Sequence, residues 1–336
     1  MIKIAGLTNE VRKELFLNTA NRIGMPPAIV EKDFWVCYML DYLFQRSQWK
    51  DHLVFKGGTS LSKAYHLIQR FSEDIDLILD WRLLGYTASE PWETRSNTQQ
   101  DKFSKQATQR TIQFLSDNLI STLKADLSRE IDSQFDVALE EAPDDPTVNF
   151  KYPQSFRSDA ILQVIRLEIG ALAAWSPSEE MSITPFAAEE YPYVFQTPST
   201  RVRTAVAERT FWEKVTILHC EANRNKDDFP ARYSRHYYDL YRMAESPVKD
   251  TALQNPELLK AVVEFKKKFY RRPWAKYDKA VPGTIKLIPQ NRYLEALEED
   301  YSKMRQMFYD VVPEMSSIIS RLKTLEKELN TLKAES

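Results

Sequence analysis

Four residues, Gly57-Gly58-Thr59-Ser60, follow the apolar run Leu53-Val54-Phe55-Lys56, and Asp74-Ile75-Asp76 comes a short distance downstream. Only 7 of the 336 residues are glycine, so two adjacent ones mark a place where the backbone must turn or come close to something. Free N–H groups between a strand and the head of a helix suit a phosphate. The spacing is not that of a Walker loop, and Lys63, inside the first turn of the helix that follows, adds positive charge. In a strand, Asp74 and Asp76 point to one side. Two carboxylates about 7 Å apart on one face repel each other unless a cation sits between them. Magnesium favours a couple of carboxylates together with phosphate oxygens, so the pair suits a metal–nucleotide centre of the kind that clamps displacement at phosphorus. An isolated Asp-X-Asp is commonly a solvated strand end, and an isolated Gly-Gly is commonly a turn. Their order here, strand, glycine turn, helix, strand, carboxylates, is far more specific.

The elements that must carry these residues read as follows. Helical spacing runs over Asn9 to Ile23 and, after Pro26-Pro27, over Ile29 to Phe44. Leu53 to Lys56 is a strand, Thr59 or Ser60 caps a helix reaching about Gln69, and Ile75 to Leu79 alternates as a second strand. Lys102 to Leu139 reads as largely helical, Pro143 to Pro146 as a loop, and Ala160 to Gly170 as a third strand-like run. Pro177 to Pro198 is dotted with prolines and reads as an irregular junction, with helical patterns from Thr204 onward. The expected division is 1–198, a sheet domain with N-terminal helices, and 199–336, a helical domain. Ile318, Leu322, Leu325, Leu329 and Leu332 form a coiled-coil-like seam, which either docks on its own domain or pairs with a partner.

Composition narrows the class. The chain carries 46 Lys plus Arg against 48 Asp plus Glu, a net charge of -2, which excludes bulk, histone-like binding of nucleic acid but not a local basic surface. Residues 71–145 hold 16 acidic and 7 basic side chains, whereas 201–276 hold 17 basic and 10 acidic, so two surfaces of opposite sign are expected. Two cysteines, Cys37 and Cys220, give no disulfide framework, and four scattered histidines leave little for zinc. The start lacks the apolar core of a secretion signal and no stretch is apolar enough to span a membrane, so the cytoplasm is the expected compartment.

The run from Gly57 to Leu77, GGTSLSKAYHLIQRFSEDIDL, resembles the AbiEii/AbiGii group of nucleotidyltransferase toxins, a branch of the DNA polymerase beta-like superfamily. Val30 to Phe44, Glu208 to His219 and Arg235 to Met243 resemble further blocks of that family, in the same order. The resemblance implies an α+β fold in which a small mixed sheet carries the glycine turn and the carboxylates at one edge, with flanking helices and a mostly helical C-terminal domain. It places Gly57, Gly58, Thr59 and Ser60 at the triphosphate, Asp74 and Asp76 as metal ligands, Lys214 as a phosphate contact, and Asp239 as an acid assisting catalysis. Superfamily members hold a third carboxylate on a neighbouring strand. Glu168, beside Arg166 on one face of Gln163 to Ile169, is the candidate, with a strand-edge ion pair as the competing explanation. Lys214 otherwise reads as a snorkelling lysine, and Asp239 as a buried acid paired with Arg235. The family implies a cognate antitoxin or a phage-defence role, and some members add nucleotides to the 3' end of tRNA.

Three further features complete the set. Ser72 is a possible site residue, while Arg70 and Glu73 read as structural. Glu31-Lys32-Asp33 is a charged triplet on an otherwise apolar helix, suited to bridging toward the sheet, with Lys32 also able to reach a phosphate. Phe265 to Tyr277 interleaves Lys266, Lys267, Lys268, Arg271, Arg272 and Lys276 with five aromatics. Cations neutralise phosphates and aromatic faces stack on unpaired bases, so this run suits a single-stranded RNA end; an amphipathic helix with its aromatics in the core is the alternative. The resulting expectation is an Mg2+-dependent enzyme that moves a nucleotide from an NTP to an RNA 3'-hydroxyl, with tRNA as the expected acceptor. Nucleotidylation of a protein, or a non-catalytic NTP-sensing module, remain open beside it.

Overall fold

The computed structural model describes residues 1–140, 146–158, 161–172, 177–309 and 311–332. The chain divides into two compact units: Met1–Tyr65 with Phe71–Ala205, and His66–Arg70 with Val206–Ser336. The division falls after Ala205 rather than at 198/199, because the strand ending there completes the sheet of the first unit.

In the first unit the helices are α1 (Ile2–Ala5), α2 (Asn9–Ile23), α3 (Pro27–Asp41), α4 (Gly57–Lys63), α5 (Asn97–Phe114), α6 (Ile120–Leu127) and α7 (Phe186–Glu190). Its strands are β1 (Leu53–Lys56), β2 (Ile75–Leu79), β3 (Asp136–Leu139), β4 (Thr147–Lys151), β5 (Ile165–Gly170), β6 (Ser178–Ile183) and β7 (Thr200–Ala205). They form one mixed seven-stranded sheet in the order β3-β4-β5-β2-β1-β7-β6. β1 and β2 are antiparallel, with Lys56 opposite Asp76, while β2 with β5 and β1 with β7 run parallel. The two strands that carry the motif are therefore central rather than at an edge, and neighbours pair with them on both sides. That explains why, apart from Lys56 and Asp76, their residues are apolar: Val54, Phe55, Ile75, Leu77 and Ile78 are fully buried.

Several sequence expectations are corrected. α4 begins at Gly57 and stops at Lys63, short of Gln69. Neither Thr59 nor Ser60 caps it; Lys56 holds the N-cap position without a side-chain bond. Gly57 has φ 82°, a conformation that only glycine adopts without strain, and it starts the helix. The stretch expected to be helical through Leu139 ends at Leu127 and then supplies β3, because pairing with β4 offers that backbone better partners than a further helical turn. The proline-dotted stretch 177–198 contains the edge strand β6 and α7. The loop expected over Pro143 to Pro146 lies, except for Pro146, outside the described residues, as does Ala160 at the head of the third strand-like run.

The second unit is helical: α8 (Ala207–Ala222), α9 (Ser234–Ala244), α10 (Val248–Leu253), α11 (Pro256–Phe269), α12 (Leu294–Lys303) and α13 (Met315–Thr331). The seam of α13 docks on its own unit: Ile318, Leu322, Leu325 and Leu329 are fully buried, and the helix packs along α9. No helix among the described residues is long and apolar enough to cross a membrane.

Candidate nucleotide site

The first unit gathers the glycine turn and the carboxylates at one end of its central strands. β1 delivers Gly57 and β2 begins at Ile75, so in their antiparallel pairing Lys56 and Asp76 are register partners. A Cβ built on Gly57 would fall 1.9 Å from Oδ2 of Asp76, so the turn lies against the carboxylate with no room for any side chain. The hydroxyl of Thr59 donates to the carbonyl of Asp74, tying α4 to the start of β2. The hydroxyl of Ser60 donates to the carbonyl of Gly57 at 2.8 Å. Both residues are buried, and their hydroxyls bond to the protein's own backbone. What this turn can offer a phosphate is the N–H groups at the head of α4, which have no acceptor within the helix. Ser72 is half-buried nearby in sequence.

Glu168 is the register partner of Asp76 on the neighbouring parallel strand β5, so the two side chains share a face of the sheet. Glu168 is also bound to Arg166, Nη1 to Oε1 at 2.9 Å, and Arg166 bonds Glu140 at 3.0 Å. Burial lowers the Arg166 guanidinium, yet Glu140, Glu168 and Asp74 together raise it above its ordinary value. Arg166 thus supplies counter-charge to these acids. Among the described residues no three His, Cys, Asp or Glu side chains are grouped to hold a metal ion. Asp74 and Asp76 still fit a divalent cation as a pair, because their hard oxygen donors match Mg2+ and phosphate oxygens complete such a shell. The room left by the missing Cβ of Gly57 keeps the Asp76 carboxylate at the turn.

Lys214 and Asp239 come together in the second unit. Lys214 Nζ lies 2.7 Å from Asp239 Oδ2 and 3.0 Å from His236 Nδ1. Arg70 grips the same carboxylate with two bonds, of 2.8 and 2.9 Å. Burial opposes the charge on Asp239, but Arg70 and Lys214 outweigh it and hold the carboxyl well below its usual range. Burial, with Arg70 and Arg235 nearby, lowers the Lys214 ammonium, and Asp239 only partly offsets this. Burial and the charge of Lys214 push His236 well below its ordinary range, so its ring is neutral and, with the proton on Nε2, Nδ1 accepts a hydrogen bond from the lysine ammonium. The cations paired with Asp239 are therefore Arg70 and Lys214 rather than Arg235. Sequence reading set Arg70 aside as structural, and no spacing could reveal a partner 169 positions away.

The sign of the Asp239 shift has a consequence. Its stabilising contribution is complete above the ordinary carboxyl value near 3.8 and is lost as pH falls below that. Replacing Asp239 by Ala strands a buried Arg70 and Lys214 and is expected to cost about 3–5 kcal/mol, measured by urea denaturation at pH 7. The difference from wild type should shrink as the titration is repeated toward pH 3.

The basic and aromatic run closes α11 and the loop after it. Phe265 and Tyr277 are buried in the core, Tyr270 is 39% exposed, and Trp274 is half-buried. Arg224 and Arg272 lie 5.6 and 5.9 Å from the Trp274 ring, and Lys266 lies 4.7 Å from that of Tyr270. Lys267 pairs with Glu264 at 2.7 Å, while Lys267, Arg271 and Arg272 are exposed. Two of the five aromatics thus serve the core, and Phe269, Tyr270 and Trp274 are left partly open to solvent.

A glycine turn held against a carboxylate on a central sheet suits the binding of a nucleotide with a divalent ion. Residues 39–327 match the family described as "Nucleotidyl transferase AbiEii toxin, Type IV TA system", and the chain belongs to that family. It is a nucleotidyltransferase toxin of a type IV toxin–antitoxin system, which implies a cognate antitoxin. Among solved structures, MenT4, a nucleotidyltransferase toxin from Mycobacterium tuberculosis H37Rv, is similar at 16% identity and TM-score 0.47. The match covers 98% of this chain and 100% of that one. No curated protein matches the sequence significantly.

Proposed function

We propose that the protein transfers a nucleoside monophosphate from an NTP to the 3'-hydroxyl of RNA, with tRNA as the acceptor, in a reaction that depends on Mg2+. The observation that carries this reading is the contact between Gly57 and Asp76, which sets the turn and the carboxylate within one small ligand's reach. The amides at the head of α4 bind the triphosphate, and Asp74 and Asp76 hold the divalent ion. That ion, when bound, neutralises the triphosphate and favours attack at the alpha phosphorus. The RNA 3'-oxygen forms a bond to that phosphorus, the bond to the beta-phosphate oxygen breaks, and pyrophosphate leaves. Glu168, beside Asp76, takes the proton of the attacking hydroxyl. Within the second unit, Asp239 sets the charge and orientation of Lys214. Lys266, Lys267, Lys268, Arg271 and Arg272 hold the RNA backbone, while Tyr270 and Trp274 offer surfaces to unpaired bases.

The acceptor is tested by offering labelled NTP with intact RNA, with RNA whose terminal diol has been oxidised by periodate, and with total protein. Label in intact RNA alone is the expected result. Label in protein would move the reading to protein nucleotidylation, and stoichiometric binding without turnover would mark an NTP sensor. Reversal of Arg271 and Arg272 to Glu is expected to raise the KM for RNA about tenfold or more. It should also lower the slope of log affinity against log salt by about 1 per lost phosphate contact. KM for the NTP should not change.

A further inference from the structure

The charged triplet of α3 has a place in the site's architecture that the transfer chemistry itself does not use. Every residue of α3 from Ala28 to Leu40 is buried, and Glu31, Lys32 and Asp33 are 1%, 0% and 2% exposed. Each reaches a different stretch of the first unit. Glu31 accepts from the amides of Ser155 and Phe156 at 2.8 and 3.2 Å. Lys32 donates to Glu73 Oε2 at 2.8 Å and to the carbonyl of Leu162. The amide of Leu162 returns a bond of 3.1 Å to Glu73. Asp33 pairs with Lys63 at 2.9 Å and accepts from the amide of Phe186 at 2.7 Å. Lys32 and Lys63, two of the lysines that the sequence offers to a phosphate, are thus both engaged inside the core.

Two of these partners border the nucleotide site. Glu73 is bonded in sequence to Asp74, and Lys63 is the last residue of the helix that Gly57 begins. That helix has seven residues, about 10 Å of rigid rod, so fixing its far end fixes its head. We propose that Lys32 and Asp33 are positioning residues that set the glycine turn against the Asp74–Asp76 strand, a role that rests on the transfer reading above. Neighbouring positions on a helix point about 100° apart, so one helix can direct one bond to Glu73, just ahead of β2, and another to α4. Buried ion pairs are poor devices for stability alone, because apolar replacements of similar volume are commonly as stable. Their bonds, unlike apolar contacts, fix direction and distance. The tolerance they must hold is small: the Asp76 carboxylate stands where a Cβ on Gly57 would be, and a misplacement of about 1 Å can cost on the order of 100-fold in rate.

The test is the double variant Lys32→Met/Glu73→Met, which removes both charges together and keeps their volume. Its melting temperature, its KM for NTP and its kcat for label transfer are compared with wild type. The expected result is a folded protein whose kcat falls about tenfold or more while KM changes by less than about threefold. Wild-type kcat in a folded double variant would overturn the positioning role and leave the transfer reading standing. An inactive wild type would overturn both. Should the double variant not fold, Asp33→Asn, which keeps an acceptor for the Phe186 amide, is judged by the same two numbers. A tenfold loss of kcat at unchanged KM supports the role, and undiminished kcat overturns it.

Discussion

Asp76→Ala is expected to abolish nucleotide transfer, with a loss on the order of 1000-fold or more, while the protein stays folded and is no less stable than wild type. The activity loss follows from where the carboxylate sits: opposite Lys56 at the end of β1, against Gly57, and level with Glu168 on β5. Removing one preorganised charge from a site that works by electrostatic complementarity costs two to three orders of magnitude, about 100- to 1000-fold; losing a ligand of the divalent ion adds to that. The stability side runs the other way. Asp76 is half-buried, so its truncation opens no core cavity, and it relieves repulsion with the neighbouring acids. A functional acid is recognised by this opposition between activity and stability. The check is label transfer beside a thermal melt of the same preparation. A variant that melts early and loses activity in proportion would mark Asp76 as structural.

Gly57→Ala is the second large effect. Two costs coincide at this position: φ of 82°, which strains an alanine by roughly 1–3 kcal/mol, and a methyl group 1.9 Å from Oδ2 of Asp76. The carboxylate must move, and transfer is expected to fall at least about 100-fold. Gly24→Ala separates the two costs. Gly24 has φ of 70° and nothing within 4 Å of its would-be Cβ, so that variant should show a lower melting temperature and wild-type transfer. Equal activity in both variants would mean that the close approach at Gly57 has no catalytic purpose.

These two residues were legible in the sequence because their signal is local. A glycine pair at the end of an apolar run, then acids at alternate positions, reads directly as turn and strand. The central place of β1 and β2 was not legible, since β4 and β7, which help to flank and extend the motif's sheet, are short and carry no turn signature of their own. Nor was the fate of the hydroxyls of Thr59 and Ser60, which bond to backbone carbonyls once the turn closes. The Glu31-Lys32-Asp33 triplet was visible as an oddity on an apolar helix, but its partners Glu73 and Lys63 are set by tertiary packing. Arg70 is the clearest case of this limit. Its guanidinium meets Asp239 across 169 positions of chain, and periodicity carries no information over such a distance. The α13 seam had two readings of equal standing in pattern alone, and burial of Ile318, Leu322, Leu325 and Leu329 within the second unit decides between them.

The most direct measurement uses one NTP labelled at the alpha phosphate and, in a parallel reaction, the same NTP labelled at the gamma phosphate. Each is incubated with wild-type protein, Mg2+ and total RNA, with the Asp76→Ala variant and a chelator as controls. Alpha label should enter RNA, gamma label should appear only in pyrophosphate, and both controls should be silent. Gamma label in the acceptor, or alpha label that Asp76→Ala incorporates as well as wild type does, would contradict a nucleotidyl transfer centre built on Gly57, Asp74 and Asp76.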